Sequence, residues 1–372
     1  MSVKSVMVAG AGIGGLSVAL ALHRAGFAVR VFEAAREIRE LGVGINIQPH
    51  AVRELDRLGL GPELARIALA TEELIYFNKH GQRIWGEPRG LRAGYAWPQY
   101  SIHRGRLQLA LKHAAEASIG AGNILTGHAI ASFTQDASGV RADFIDRHTG
   151  QAVGSHRADV LVGADGIHSA VRRQLYPNEG APRFGGQLMW RGLSRMRPFL
   201  SGKAMIMAGH REQKVVVYPV EPAPGADGLI DVNWVAENTF PADAFPARED
   251  WNREVPIVMV ASHFERWRFD WLDVPAMIKG GQAAFEFPKV DRDPIPRWSF
   301  DRVTLLGDAA HPMHPAGSNG ASQALLDVPA LVEALSTHAE ASDALRAYEA
   351  VRRPQVAELV RVNRERMGPE WV

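Results

Sequence analysis

Ser5-Val6-Met7-Val8-Ala9-Gly10-Ala11-Gly12-Ile13-Gly14-Gly15 is the stretch that decides how the rest of the chain is read. A short apolar strand runs straight into G-x-G-x-x-G, and Leu16-Ser17-Val18-Ala19-Leu20-Ala21-Leu22 continues as a helix. Gly10 allows the tight turn, Gly12 lets backbone approach a pyrophosphate, and Gly15 lets the helix pack close to the strand. Ile13 and Gly14 open the helix, whose free N–H groups and positive dipole meet the phosphates. A second strand, Ala28-Val29-Arg30-Val31-Phe32, ends at Glu33. An acid there accepts a ribose hydroxyl and repels a 2′-phosphate. This end of the chain is built for the ADP half of a dinucleotide, without saying which one.

The bulk numbers narrow the choices. The chain has 372 residues, enough for a large core and two domains. A formal net charge of +1 leaves no electrostatic footprint for nucleic acid or an anionic membrane. There is no cysteine, which excludes disulfides, thiolate metal sites and a cysteine-linked flavin. The N-terminus enters the first strand without the basic start and apolar core of a secretory signal, and no apolar run reaches the length of a membrane span. The expectation is a soluble cytoplasmic protein, monomeric or homodimeric.

A second loop lies far downstream. Val303-Thr304-Leu305-Leu306 reads as an apolar strand ending in Gly307-Asp308, followed by a Gly/Pro/Ser/Asn loop to Gly320 and a helix from about Ala321. A carboxylate at the end of such a strand can accept a hydroxyl from a ligand lying in the crevice. The glycine loop, the segment from Asp159 to Arg172 with its Asp165-Gly166, and Gly307-Asp308-Ala309-Ala310-His311, taken in order, resemble the single-component flavoprotein aromatic hydroxylases of the p-hydroxybenzoate hydroxylase family. Leu41 to Pro49, Tyr100 to Gly105 and Val290 to Pro294 are similar to the branch acting on 5-methylphenazine-1-carboxylate.

The resemblance implies a bound FAD, NADH or NADPH as transient co-substrate, O₂, and hydroxylation of a small aromatic or N-heteroaromatic substrate through a flavin C4a-hydroperoxide. It places Arg39 near the pyrophosphate, Gly44 near the isoalloxazine ring, and Arg104, in Arg104-x-x-Leu107, on FAD. It associates Asp165 with FAD and pyridine nucleotide, although Asp165 standing alone reads as a helix cap. Pro315, Gly320 and Ala321 complete the flavin loop. Glycine at 44 suits backbone that must pass a flat ring. No catalytic base is evident; the chemistry is borne by the flavin.

The implied fold class is α/β: a Rossmann-like FAD-binding domain (1–71, 101–184 and 288–372) with C-terminal helices. An inserted mixed or antiparallel β-sheet substrate domain (72–100 and 185–287) interrupts it. Residues 49–70 read as helical, 72–85 as a hairpin turning at Gly81, and 289–298 as a return loop with an Asp291-Arg292-Asp293 ion-pair turn. Strands are expected at 123–132, 139–146, 158–163, 186–193, 203–208, 214–220 and 228–235. Trp190, Met205, Met207, Tyr218 and Trp234 are candidates for an apolar substrate wall, and Trp267 and Trp271 for one helix face. His311 and His314 lack the surroundings of a metal site, so no metal is expected.

Two departures open alternatives. Asn319 and Ser322 stand where the family has glutamine and asparagine, and Asp327-Val328-Pro329 replaces its Asp-Ala or Asp-Gly. Asn319 and Ser322 motivate a flavin-binding protein without turnover. A flavin-dependent halogenase would carry W-x-W-x-I-P, of which only Trp267 and Trp271 echo a part.

Overall fold

The computed structural model describes residues 3–240 and 253–365. Its first layer is a six-stranded sheet ordered Ser299–Phe300, Val303–Leu305, Val160–Gly163, Ser5–Ala9, Ala28–Glu33 and Ile124–Thr126. All neighbours run parallel except the short 299–300/303–305 pair. Parallel strands buried on both faces explain the near-continuous apolar runs of the sequence. Helices Ile13–Arg24, Arg104–Ile119 and Gly320–Thr337 pack in this half, the first of them against both others. A three-stranded meander (Ala129–Asp136, Gly139–Ile145, Ala152–Ala158) lies beside the sheet and buries Phe133, Val140, Ala142 and Phe144 in the same core.

The second layer is an eight-stranded sheet ordered Arg253–Val255, Ala284–Asp291, Arg183–Met196, Ile230–Thr239, Gln213–Pro219, Ala204–Gly209, Glu73–Phe77 and Arg83–Pro88. The hairpin at 73–88 joins through a parallel pairing of Glu73–Phe77 with Ala204–Gly209, and Gly81 takes the positive φ of 78° its turn requires. Helices Ile257–His263 and Val274–Lys279 belong with one face, whose core holds Trp190, Trp234, Phe264 and Trp267. The opposite face carries Leu74, Met189, Met205, Val216, Tyr218, Val220 and Val235.

Several local expectations need correction. The segment read as one helix over 49–70 is two, Pro49–Arg57 and Gly61–Ile67, followed by strand Leu69–Thr71. Lys289 to Asp291 belong to the inner strand Ala284–Asp291 rather than a return loop, with Val290 and Asp291 opposite Phe184 and Arg183. Asp291 and Asp293 do not form a local ion-pair turn; both bind Arg364, and Asp293 also binds Arg183. Trp267 precedes a two-residue-per-strand hairpin, Arg268–Phe269 with Leu272–Asp273, and Trp271 lies in its turn, so their spacing is not helical.

Candidate active site

The glycine loop obeys hard steric limits. Gly10 has φ 103°, and a Cβ there would lie 2.4 Å from the Ala164 carbonyl oxygen. A Cβ on Gly15 would lie 1.9 Å from the Gly10 carbonyl oxygen, so strand and helix meet only without it. Gly14 has the Leu306 side chain 2.8 Å from its Cβ position, which seats the first helix on the second loop. Gly12 is different: its Cβ position faces open space, and it starts helix Ile13–Arg24 without a capping side chain. Ile13 is buried in the core beneath the loop. Glu33 Oε2 accepts from Ala11 N and Oε1 from Ala35 N, each at 2.8 Å, which fixes the carboxylate on the rim of the loop.

Arg104 and Asp308, far apart in sequence, lie near enough to couple electrostatically. Arg104 begins helix Arg104–Ile119 and lies against Gly42, whose Cβ position is 3.9 Å from Arg104 Nη1. Its guanidinium has no hydrogen-bond partner among the described residues. The Asp308 carboxylate, in the turn Gly307–Ala309, likewise has none. Both side chains reach solvent through a crevice with protein packed around it. Desolvation in that crevice lowers the Arg104 pKa although Asp308 and Glu33 pull it upward. The same desolvation raises the Asp308 pKa against the pull of His311 and Arg104. The start of helix Gly320–Thr337 is adjacent, with Asp308 Oδ1 3.9 Å from the Cβ position of Gly320. This helix also lacks a side-chain cap, and Ala321 in its first turn is half-buried.

An open glycine cradle, an unpaired cation, an unpaired carboxylate and an uncapped helix suit a ligand carrying both phosphates and hydroxyls. FAD has both. The residues fit it.

A buried network that local sequence patterns do not reveal supports this crevice. Asp327, fully enclosed, accepts from Gly307 N at 3.0 Å, His311 Nε2 at 2.7 Å and Arg352 Nε at 2.8 Å. Burial pushes its pKa up, but His311, Arg352 and the Gly307 amide outweigh burial and hold it below the usual carboxylate range. Arg172 Nη1 donates to the carbonyls of Ala309 and Ala310, at 3.0 and 2.9 Å. The turn that starts at Gly307, itself at φ 61°, is thus held from both sides. Ser322 is buried and accepts from Gln48 N at 3.0 Å, a structural job that the smaller side chain performs here.

Strand alternation sorts the substrate-wall candidates. Met205, Met207 and Tyr218 sit on the face turned toward Gly44, the first residue of strand Gly44–Ile47. Trp190 and Trp234 point the other way, and their assignment to the wall is corrected. Trp190 Nε1 donates to Glu286 and its ring stacks on His263; Trp234 Nε1 donates to Ser194. Both are core.

Gly44 itself binds this face. Its N–H donates to Asn233 Oδ1 at 2.7 Å, and its carbonyl accepts from Arg191 Nη2 at 2.6 Å and Tyr218 OH at 2.9 Å. A Cβ on Gly44 would meet Asn233 Cβ at 2.6 Å and Val220 at 2.7 Å, so the close approach that requires glycine is to the sheet. Arg191 and Asn233 are functional candidates absent from the sequence reading; their alternation with Trp190 and Trp234 is the signal that points to them. Arg39 is exposed and paired with Glu37 at 2.6 Å. Asp165 caps the next helix, accepting from Ser169 Oγ and Ala170 N, and burial raises its pKa despite those bonds. Pro315 is exposed at the start of the turn Ala316–Ser318. Among the described residues there is no cluster that could hold a metal ion, and no helix long and apolar enough to cross a membrane.

Comparison with known proteins agrees with this geometry. The FAD binding domain family matches residues 4–265 and 273–363. Phenazine 1,6-dicarboxylic acid hydroxylase PhzS of Lysobacter antibioticus is 44% identical over 97% of this chain and 89% of its own length. 3-Hydroxybenzoate 6-hydroxylase of Polaromonas naphthalenivorans is 33% identical over 96% of this chain and 85% of its own. Klebsiella pneumoniae HpxO, solved with FAD and uric acid, superposes with a TM-score of 0.80 at 26% identity, covering 98% of this chain and 88% of that one. The chain belongs to the FAD binding domain family, among its FAD-dependent aromatic monooxygenases.

Proposed function

We propose that this protein hydroxylates a planar aromatic carboxylate with NAD(P)H and O₂, and that tricyclic phenazine acids are its substrate class. The observation that carries the reading is the crevice with unpaired Arg104 and Asp308 beside an apolar sheet face rich in methionine. When bound, FAD supplies hydride acceptance from NAD(P)H and oxygen activation. The chain supplies the rest. Gly12 and the helix behind it receive the pyrophosphate, with Arg104 offsetting its charge. Glu33 and Asp308 accept ribose and ribityl hydroxyls. The amides of Gly320 and Ala321 are available to an anionic edge of the flavin. Residues 1–71, 101–184 and 288–372 would hold the cofactor, with 72–100 and 185–287 shaping the substrate side.

On that side, Met189, Met205, Met207 and Tyr218 offer a flat, polarisable wall, and Arg191 adds a cation on the same face. The 44% identity to a phenazine dicarboxylate hydroxylase supports a tricyclic acid over a single-ring one. The test is NAD(P)H oxidation and peroxide yield of the FAD-loaded protein with phenazine-1-carboxylate, phenazine-1,6-dicarboxylate and 3-hydroxybenzoate. Faster oxidation with less peroxide per turnover for the tricyclic acids supports the reading. Equal peroxide with and without every acid would overturn it.

A further inference from the structure

On the face turned toward Gly44, the side chains fall into lateral rows fixed by register. In one row Tyr218 lies opposite Asn233 and Asn233 opposite Leu193, and Gly44 bonds both Tyr218 and Asn233. The next row out is Trp85, Tyr76, Met207, Val216, Val235, Arg191 and Phe285, each opposite the one before it. Residues directly opposite one another share a face. This row therefore crosses the sheet from its outer edge strand to Ala284–Asp291 without changing sides. At its inner part Arg191 bonds the Gly44 carbonyl and lies near enough to Arg104 to lower the Arg104 pKa. At its outer end is the edge strand Arg83–Pro88.

That outer end is unusual. Trp85 is 53% exposed, and its ring stacks on half-buried Tyr76 with centroids 5.3 Å apart and planes 28° from parallel. Soluble proteins commonly blunt an edge strand with charge, and a large exposed aromatic there loses the stabilisation that burial would give. Burial is greatest at the middle of the row: Tyr76 and Met207 are half-buried, Val216 and Val235 are buried, and Arg191 and Phe285 are half-buried again.

We propose that Trp85 and Tyr76 form an outer aromatic subsite that captures the planar substrate at the edge of the sheet and passes it along this row toward Arg191. The inference rests on the proposed aromatic-carboxylate hydroxylase activity. The occupant is a flat, fused (hetero)aromatic acid: rings stack on Tyr76 and Trp85, the polarisable Met207 follows, and the arginine at the inner end receives the carboxylate. A single-ring acid offers less stacking area and depends less on this subsite.

The experiment compares wild type, Trp85→Ala and Trp85→Phe, all loaded with FAD, using phenazine-1-carboxylate and 3-hydroxybenzoate as the probes. Trp85→Ala raises KM for the tricyclic acid about fivefold, from the usual worth of one aromatic pair, and changes kcat little. It shifts the single-ring KM less, Trp85→Phe restores most of the loss, and the flavin spectrum is the same in all three. An unchanged tricyclic KM in Trp85→Ala overturns the subsite while leaving the proposed activity standing. So does a change in oligomeric state by sedimentation without a KM effect, which would make this edge an interface between copies. A wild type that turns over neither acid overturns both readings.

Discussion

The hydroxyl of Tyr218 donates to the carbonyl of Gly44 across 2.9 Å, joining the eight-stranded sheet to strand Gly44–Ile47 of the other half. The same carbonyl also accepts from Arg191, so it keeps a partner when the tyrosine is lost. Tyr218→Phe should therefore lower unfolding stability by only about 1 kcal/mol, the net worth of one buried hydrogen bond. FAD content should not change. Chemical denaturation with flavin absorbance as a second probe measures both.

Asp308 makes no internal hydrogen bond, so its removal should separate ligand binding from folding. Asp308→Ala weakens FAD binding by roughly tenfold or more, the scale of a hydrogen bond to a charged group. The apoprotein should be at least as stable as wild type. Because burial raises the Asp308 pKa, the folded apoprotein binds that proton more readily than the unfolded chain. Wild-type apoprotein stability thus gains from this group as pH falls through its raised pKa, and Asp308→Asn removes that gain. FAD titration and apoprotein melting across pH test the two halves.

Asp327 predicts the opposite pH behaviour. Its carboxyl is held below the usual range by His311 and Arg352 against the effect of burial. Its contribution is complete above the unfolded carboxyl pKa of about 3.9 and is lost as pH falls below it. Asp327→Asn leaves Arg352 buried without its counter-charge and should cost about 3 kcal/mol at neutral pH. FAD should bind more weakly, since the Gly307 amide loses its carboxylate. Melting from pH 7 to pH 3 should show a smaller deficit at the acid end.

Lys289 and Glu237 form an enclosed pair at 2.7 Å in the eight-stranded sheet, with Lys214 3.2 Å from the same carboxylate. Glu237→Gln leaves two ammonium groups without a charge partner and should destabilise by about 3 kcal/mol. Adding Lys289→Met should recover part of that loss, because the remaining Lys214 reaches solvent more easily. A double-mutant cycle by denaturation gives the coupling.

What the sequence discloses is what local stereochemistry dictates. Gly10 and Gly15 have no alternative residue at their steric positions, and Gly307-Asp308 follows its strand closely. The phase of the substrate sheet is less legible. Whether Trp190 or Arg191 faces the crevice depends on which strands pair beside it, and pairing is a non-local fact. Strand Ala152–Ala158 gives no sequence signal, because it is exposed along most of its length and has no apolar alternation. Lys289 to Asp291 read as a loop because charge and proline crowd the segment, and their long-range partners Glu237 and Arg364 are invisible in the local pattern. Asn319 and Ser322 read as defects in a flavin loop. Ser322 instead holds Gln48, and the helix start beside Asp308 remains uncapped.

The most direct test of the central claim is turnover under ¹⁸O₂ with phenazine-1-carboxylate, NAD(P)H and the FAD-loaded protein, read by mass spectrometry. The account predicts a hydroxylated phenazine carrying one labelled oxygen, formed in step with NAD(P)H consumed. Consumption of NAD(P)H with labelled peroxide alone, and no labelled phenazine, would contradict it.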